Sequence, residues 1–367
     1  MKKGRSAISG IGPIFVLWMG LGLMPPADAS AAVPTWVNPK EAIGPDLARF
    51  QQGKKELTAL EKEEIRKYGY TALEVMTYVD SNRETRGKPG FTVYHRCINV
   101  TGRGGNIRDS GILQKYRFYY PNYGSRIKQE GIKPGGVEYR YISLITGPAE
   151  TKGDTSMRTY YLAAPGYRKD SDNWQYSKKT RKVTRNVAAN RQDEGMMITT
   201  RDDDEGREPW DEDHRILGED LYRGNPCLVV ESVHRAKGYY LAKRVIWVEK
   251  TNFLDLHEEQ FDHKGHLFKL LEKDWFQVKP SNYWFPRETN SVKLPMGRRT
   301  IHQTPIYIVH EGPMKDDYNM QGIRKQVPWV QVDGVLPPVT GSASLPPEPQ
   351  PRLEFWERMG LKIQMRQ

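Results

Sequence analysis

Eleven period-two segments follow one another in this chain with no helical segment between them, and that succession limits the fold more than any other feature. They are Phe91–Val100, Ile112–Tyr120, Val137–Thr146, Thr155–Ala164, Trp174–Ser177, Cys227–His234, Tyr239–Glu249, Phe253–Phe261, His266–Val278, Tyr283–Leu294 and Thr300–His310. Alternating apolar and polar residues put one face of a strand against a core and the other in water. Antiparallel neighbours are joined by short turns, whereas parallel neighbours need a long crossover, usually a helix. The pattern therefore predicts a mainly antiparallel sheet of about eleven strands and excludes a βαβ architecture. Asp262-His263-Lys264-Gly265 has the form of a hairpin turn with Gly in the left-handed position, and Thr101 to Gly105 separates the first two strands.

Within the strands the alternation sorts side chains by face. Tyr116 and Phe118 share one face of their strand, Tyr139 and Tyr141 one face of the next, Trp174 and Tyr176 one of a later strand, and Trp247 lines up with Val245 and Leu241. These seven aromatics are the candidates for lining an apolar ligand cavity. The same alternation is equally that of a filled core, because it defines a face without saying which face is inside.

Before the strands, a charged helical stretch runs from about Leu47 to Tyr68, and a second helix begins near Thr71, with Leu73, Val75, Met76 and Val79 on its apolar side. After them, seven prolines between Pro328 and Pro351 make an extended tail that ends in a short amphipathic piece, Leu353 to Ile363. The expected organisation is a signal segment at 1–29, a partly helical extension at 30–70, a β-domain at 71–326 and a Pro-rich tail at 327–367.

The first 29 residues read as an address. Lys2, Lys3 and Arg5 precede an apolar run from Ile11 to Met24, and Ala27-Asp28-Ala29 supplies an A-x-A cleavage site. An uncleaved N-terminal anchor is the alternative. No Cys stands at the cleavage site to be lipid-modified, so the expected mature protein is periplasmic and not lipidated. Cleavage lowers the formal net charge from +11 to +9. In an exported protein that excess is either a basic surface that keeps the chain soluble or one that meets anionic lipid headgroups, which are its polyanion rather than nucleic acid.

Catalytic and metal signatures are missing. The sequence has no G-x-S-x-G elbow, no phosphate loop, no H-E-x-x-H helix and no G-x-G-x-x-G between strand and helix. No enzyme activity, cofactor or metal is expected. His257, His263 and His266 are close in sequence, but a hairpin puts the second in the turn and the others on separate strands. Glu231, Ser232 and His234 invite a triad, yet Glu231 and Ser232 point to opposite faces. Asp202 to Asp213 holds eight acids and reads as a mobile acidic loop, since a calcium loop registered on Gly206 would need a carboxylate where Arg201 stands. Lys178 to Arg185 is the densest basic run, either a phosphate-binding strand or a solvated edge. Cys97 and Cys227, the only cysteines, are either paired or buried free thiols.

Two stretches carry a resemblance. Ser143-Leu-Ile-Thr-Gly-Pro-Ala-Glu-Thr-Lys-Gly-Asp-Thr155, followed by Asp172-Asn-Trp-Gln-Tyr-Ser-Lys-Lys-Thr-Arg-Lys-Val-Thr-Arg185, resembles the "P-A-x-x-K-G" and "W-x-Y-x-x-x-x-R-K-V-x-R" strands of outer-membrane lipoprotein-sorting (LolA-like) periplasmic proteins. Arg244-Val-Ile-Trp-Val-Glu-Lys-Thr251, running on to Gly265 and Lys269, is similar to the later hairpin of that family. The resemblance spans roughly Thr71 to Lys325. It implies an incomplete, half-open β-barrel with a helical lid or plug, and a carrier that shields a lipid-like ligand or lipoprotein acyl chains. It further implies an inner-membrane exporter or an outer-membrane acceptor as partner. An envelope interaction module, its acidic loop and tail docking an exporter complex, is the alternative function.

Overall fold

In a computed structural model of the chain, the residues described are 56–83, 91–101, 106–119, 135–147, 149–161, 169–186, 198–204, 207–278, 283–309, 319–325 and 345–366. The signal segment, most of the extension, and the Thr101–Gly105 turn beyond Thr101 itself lie outside them.

The strands are β1 (Phe91–Thr101), β2 (Asn106–Tyr119), β3 (Val137–Gly147), β4 (Thr155–Tyr161), β5 (Asp172–Ser177), β6 (Lys182–Asn186), β7 (Glu212–Tyr222), β8 (Asn225–His234), β9 (Lys243–Glu249), β10 (Asp255–Phe261), β11 (His266–Val278), β12 (Tyr283–Lys293), β13 (Arg298–Val309) and the short β14 (Gln364–Met365). They form one sheet ordered β6-β5-β4-β3-β2-β1-β13-β12-β11-β10-β9-β8-β7, with β14 paired to β11. Every pairing along that path is antiparallel, and only β14 runs parallel to its neighbour. β6 and β7 end the order without pairing to each other, so the barrel is half open.

Three strands exceed the expected eleven. β6 is the basic run after the Lys178–Arg181 turn, β14 is two residues long, and β7 begins inside the acidic segment. β7 escaped the alternation because charge falls on both of its faces: Glu212 and Asp220 are buried while Asp213 and Glu219 are exposed. The Asp262–Gly265 hairpin forms as its sequence predicts. Gly265 has φ +78° and Asp262 Oδ1 accepts from the backbone N–H of Lys264 (2.9 Å) and His266 (3.0 Å).

Helix α1 (Ala59–Tyr68) is started by a reciprocal capping box between Thr58 and Glu61 and stopped by Gly69 at φ 83°. Helix α2 (Ala72–Arg83) begins with a similar exchange between Thr71 and Glu74. α2 lays Ala72, Val75, Met76, Tyr78 and Val79 on Ile216, Leu228, Val230, Ile246, Val248 and Phe253. Glu64 of α1 is buried and joins three elements: its carboxylate accepts from Ala72 N (2.9 Å), at the start of α2, and from Ile216 N (2.7 Å) of edge strand β7. An edge N–H satisfied in this way is closed to a foreign strand.

The other face of the sheet is covered by the end of the chain. Ile323 of helix α4 (Met320–Lys325) packs on Ile142 and Met157, and Leu345 lies against Ile98, Val100 and Ile301. Arg299 and Asn290 donate to the carbonyls of Pro346 and Pro347. Helix α5 (Leu353–Arg358) then inserts Phe355 and Trp356 into a core with Val229, Val245, Trp247, Phe261, Leu267 and Leu270. The described part of the Pro-rich tail is thus a strap across the sheet.

Candidate functional site

Directly paired residues of antiparallel strands point to the same face, so the register sorts the seven aromatic candidates. Tyr116 is opposite Ser143, Phe118 opposite Tyr141, and Tyr139 opposite Tyr160. These positions, followed through β1, β13, β12, β11 and β10, share the face on which Ile246 packs against α2. The side chains of Tyr116 and Phe118 lie outside the described residues. Tyr139 is buried and stacks on Tyr160, with ring centroids 4.3 Å apart, and Tyr141 follows at 6.1 Å from Tyr160. Arg158 spreads along this row, 5.9 Å from both the Tyr141 and Tyr160 rings, and its Nη1 donates to Tyr160 OH at 2.9 Å.

Trp174 and Tyr176 are on the strap face. Trp174 pairs with Met157 and Tyr176 with Thr155, and both pack on the cluster that receives Ile323. Trp247 is also on the strap face, 0% exposed, edge-on to Phe355 at 5.4 Å, with Nε1–H donating to Asp220 at 2.9 Å. The five candidates whose side chains are described therefore divide two to one face and three to the other. Alternation orders residues within a strand but does not carry the phase from one strand to the next; register does.

The acidic segment is a correction to the expectation of a mobile acidic loop. Asp202, Asp203 and Glu212 are each 1% exposed because cations of the sheet and loop reach them. Arg207 and Arg244 share the Glu212 carboxylate at 2.7 and 2.5 Å, and Arg244 extends to Glu258 at 3.3 Å. Asp203, in the single turn α3 (Arg201–Asp204), pairs with Lys269 and accepts from Gln260 Nε2 at 2.6 Å. Burial works to raise the Glu212 carboxyl, but the charges of Arg244 and Arg207 outweigh it and hold the group far below its ordinary value. Asp203 is likewise lowered, burial being outweighed by Lys269. This network was not foreseen. The available signal was a cation at an inward position of an otherwise apolar strand, Arg244 before Val-Ile-Trp-Val.

The remaining chemical groups are accounted for. His214 Nε2–H donates to the carbonyl of Pro209 (2.8 Å), so its Nδ1 accepts from Ser232 Oγ (2.8 Å). Ser232 is 0% exposed, and Glu231 is on the opposite face with Arg215 and Lys243. His257 is buried against Tyr222 and Trp247, His263 donates to Tyr239 O, and His266 sits 3.8 Å from Asp262, in the turn and on two strands as the hairpin requires. Among the described residues no group of three metal-ligating side chains converges. Cys97 and Cys227 are buried free thiols, and burial, aided by Glu249, pushes the Cys227 thiol up to about 12. In the basic run, Lys178, Lys179, Arg181, Lys182 and Arg185 are exposed, and Arg185 pairs with Asp172 at 2.5 Å.

A family model described as an uncharacterized protein matches residues 138–318. No curated protein matches the chain. Among solved structures, the chain is similar to a domain described as an outer membrane lipoprotein-sorting protein from Vibrio parahaemolyticus. That match has a TM-score of 0.53 at 18% identity and covers 69% of this chain and 98% of that one. It is also similar to a DUF1329 family protein from Desulfovibrio piger, with a TM-score of 0.54 at 16% identity, covering 72% of this chain and 100% of that one. The fold is that of these two structures, a half-open antiparallel barrel.

Proposed function

We propose that the chain is a periplasmic, non-enzymatic carrier that shields a lipid-like ligand or lipoprotein acyl chains on the α2 face of its half-open sheet. The observation that carries this reading is the aromatic row on that face, Tyr139, Tyr160 and Tyr141. Each methylene withdrawn from water contributes about 0.8 kcal/mol, so a carrier needs an apolar surface and no reactive group. The sorting function printed for the Vibrio domain of the same fold supports the reading. An inner-membrane exporter or an outer-membrane acceptor is the proposed partner. Trp174, Tyr176 and Trp247 are assigned to the packing of the strap rather than to the ligand. In place of a tail free to dock a second protein, residues 345–366 are committed to this chain's own sheet, which favours the carrier over the interaction module.

The test is fluorescence titration of the mature chain with an environment-sensitive acyl probe. Tyr141→Ser weakens binding several-fold and Trp174→Leu leaves it unchanged. Equal affinity in wild type and Tyr141→Ser, or no enhancement in wild type, contradicts the proposal.

A further inference from the structure

The antiparallel order puts the connections β3–β4, β5–β6, β8–β9, β10–β11 and β12–β13 at one rim of the half-open barrel, and β7–β8 and β9–β10 at the opposite rim. The rims differ in charge. At the opposite rim each turn carries a cation that an acid of the sheet holds: Arg223 pairs with Glu272 at 2.6 Å and Lys250 with Glu219 at 2.8 Å. At the turn-rich rim Lys178, Lys179, Arg181 and Lys182 crowd the β5–β6 turn, Lys264 stands in the β10–β11 turn and Arg298 follows the β12–β13 turn, all of them exposed. Among the described residues these cations have no carboxylate within ion-pair distance. Of the acids in the same turns, Asp154 accepts from the backbone N–H of Lys178 (2.8 Å) and Asp262 from those of Lys264 and His266, while Glu150 is exposed. The same rim also exposes apolar side chains: Met296 of the β12–β13 turn is 45% exposed and Met365 of β14 is 53% exposed. β14 brings Met365 to the end of β12, because it takes the side of β11 that β12 leaves open beyond the Lys269–Lys293 pair. There it matches His266 and Leu267, and Arg366 N donates to Leu267 O at 2.8 Å.

We propose that this rim is a docking face for an anionic phospholipid bilayer. Its cations are spread over the sheet from β6 to β11, about 40 Å at the usual strand spacing. That is too wide for one small anion and is several Debye lengths at physiological salt, so the cations serve an extended anionic surface rather than a single ligand. The rim of a barrel meets a flat surface at several turns at once, and a bilayer asks no further shape of its partner. Each Lys or Arg near an anionic bilayer adds to the attraction. The two methionines, flexible and apolar, enter the boundary between headgroups and acyl chains while the cations stay among the phosphates. The inference goes beyond the carrier reading and holds without it.

The test is co-sedimentation of the full mature chain with phosphatidylcholine vesicles that contain or lack phosphatidylglycerol. Wild type binds the anionic vesicles and not the neutral ones, and binds less as salt rises. The Lys178→Gln/Lys179→Gln/Arg181→Gln/Lys182→Gln chain binds anionic vesicles about a hundredfold more weakly. Met296→Ser/Met365→Ser binds them about tenfold more weakly, and Lys250→Gln, at the opposite rim, binds them as wild type does. Lys264→Glu/Arg298→Glu, on other strands, repeats the loss, so the outcome does not depend on the folding of one hairpin. Equal binding to neutral and anionic vesicles, no vesicle binding, or a loss in Lys250→Gln as large as in the rim variants overturns the docking face. So does a chain that ignores vesicles but binds poly-glutamate through the same lysines, which assigns the rim to an acidic protein partner. Titration with the acyl probe reads the carrier function separately. Probe binding without bilayer binding leaves the carrier standing, and bilayer binding without probe binding leaves the docking face standing.

Discussion

Replacing Trp356 by Phe isolates the bond that seats the strap. Glu259 of β10 is 0% exposed, and both of its oxygens are satisfied by the C-terminal segment: Oε2 accepts from Trp356 Nε1 at 2.7 Å and Oε1 from the Arg352 backbone N–H at 2.6 Å. Phe fills most of the slot between Phe261 and Phe355 but has no donor. A carboxylate that loses a donor in a water-free core carries a cost of about 3 kcal/mol, and the smaller ring adds about 1 kcal/mol of lost packing. The expected total is about 4 kcal/mol. If the charge is the cause, Glu259→Gln in the same chain removes most of the penalty, and the double-mutant cycle gives a coupling of about 2 kcal/mol. Urea unfolding followed by far-ultraviolet circular dichroism reads all four stabilities without relying on the altered tryptophan. A loss below about 1 kcal/mol for Trp356→Phe, or losses that simply add, refutes the argument that the strap is held by a buried charge.

Acidification destabilises the chain in two stages. Burial lowers His95, with His302 adding, and burial also lowers His214. The unfolded chain therefore takes up protons that the folded chain refuses, and stability falls by up to about 1.4 kcal/mol per histidine per pH unit below 6.5; His95→Gln flattens this part of a melting-temperature profile. Glu212 and Asp203 have lowered folded values, so their contribution is full above the unfolded values of 4.5 and 3.8 and is lost as pH falls through the folded ones. A melting temperature that stays flat from pH 7 to 5 contradicts the histidine assignment, and one that stays flat from pH 4 to 2 contradicts the carboxylate assignment. Glu64→Ala strips the acceptor from the N–H groups of Ala72 and Ile216, which costs about 2–4 kcal/mol in urea unfolding and exposes edge strand β7 to self-association measurable by light scattering.

The sheet was legible because its strands alternate cleanly between turns with specific backbone chemistry; the Asp262–Gly265 hairpin and the helix after Thr71 stand where their residues require, whereas the first helix starts at Ala59, where Thr58 and Glu61 cap it, and not near Leu47. β7 was not legible, because its buried acids find their cations in the loop before it, as Glu212 finds Arg207, and on a strand two places away, as it finds Arg244. Such pairing exists only once the sheet is assembled. The same holds for the strap. Phe355 and Trp356 read as one side of a small amphipathic helix, and nothing local names Trp247 and Glu259 as their partners across about a hundred residues. The candidate site was half legible for a related reason: Tyr139 with Tyr141 and Trp174 with Tyr176 were correctly paired within strands, while the register that puts the pairs on opposite faces is a long-range property.

The carrier reading is tested most directly by native mass spectrometry of the mature chain, purified without detergent from the envelope of its own cell. The account predicts a discrete added mass of lipid size, lost on denaturation. Bare polypeptide mass, with no lipid extractable from the sample, contradicts it.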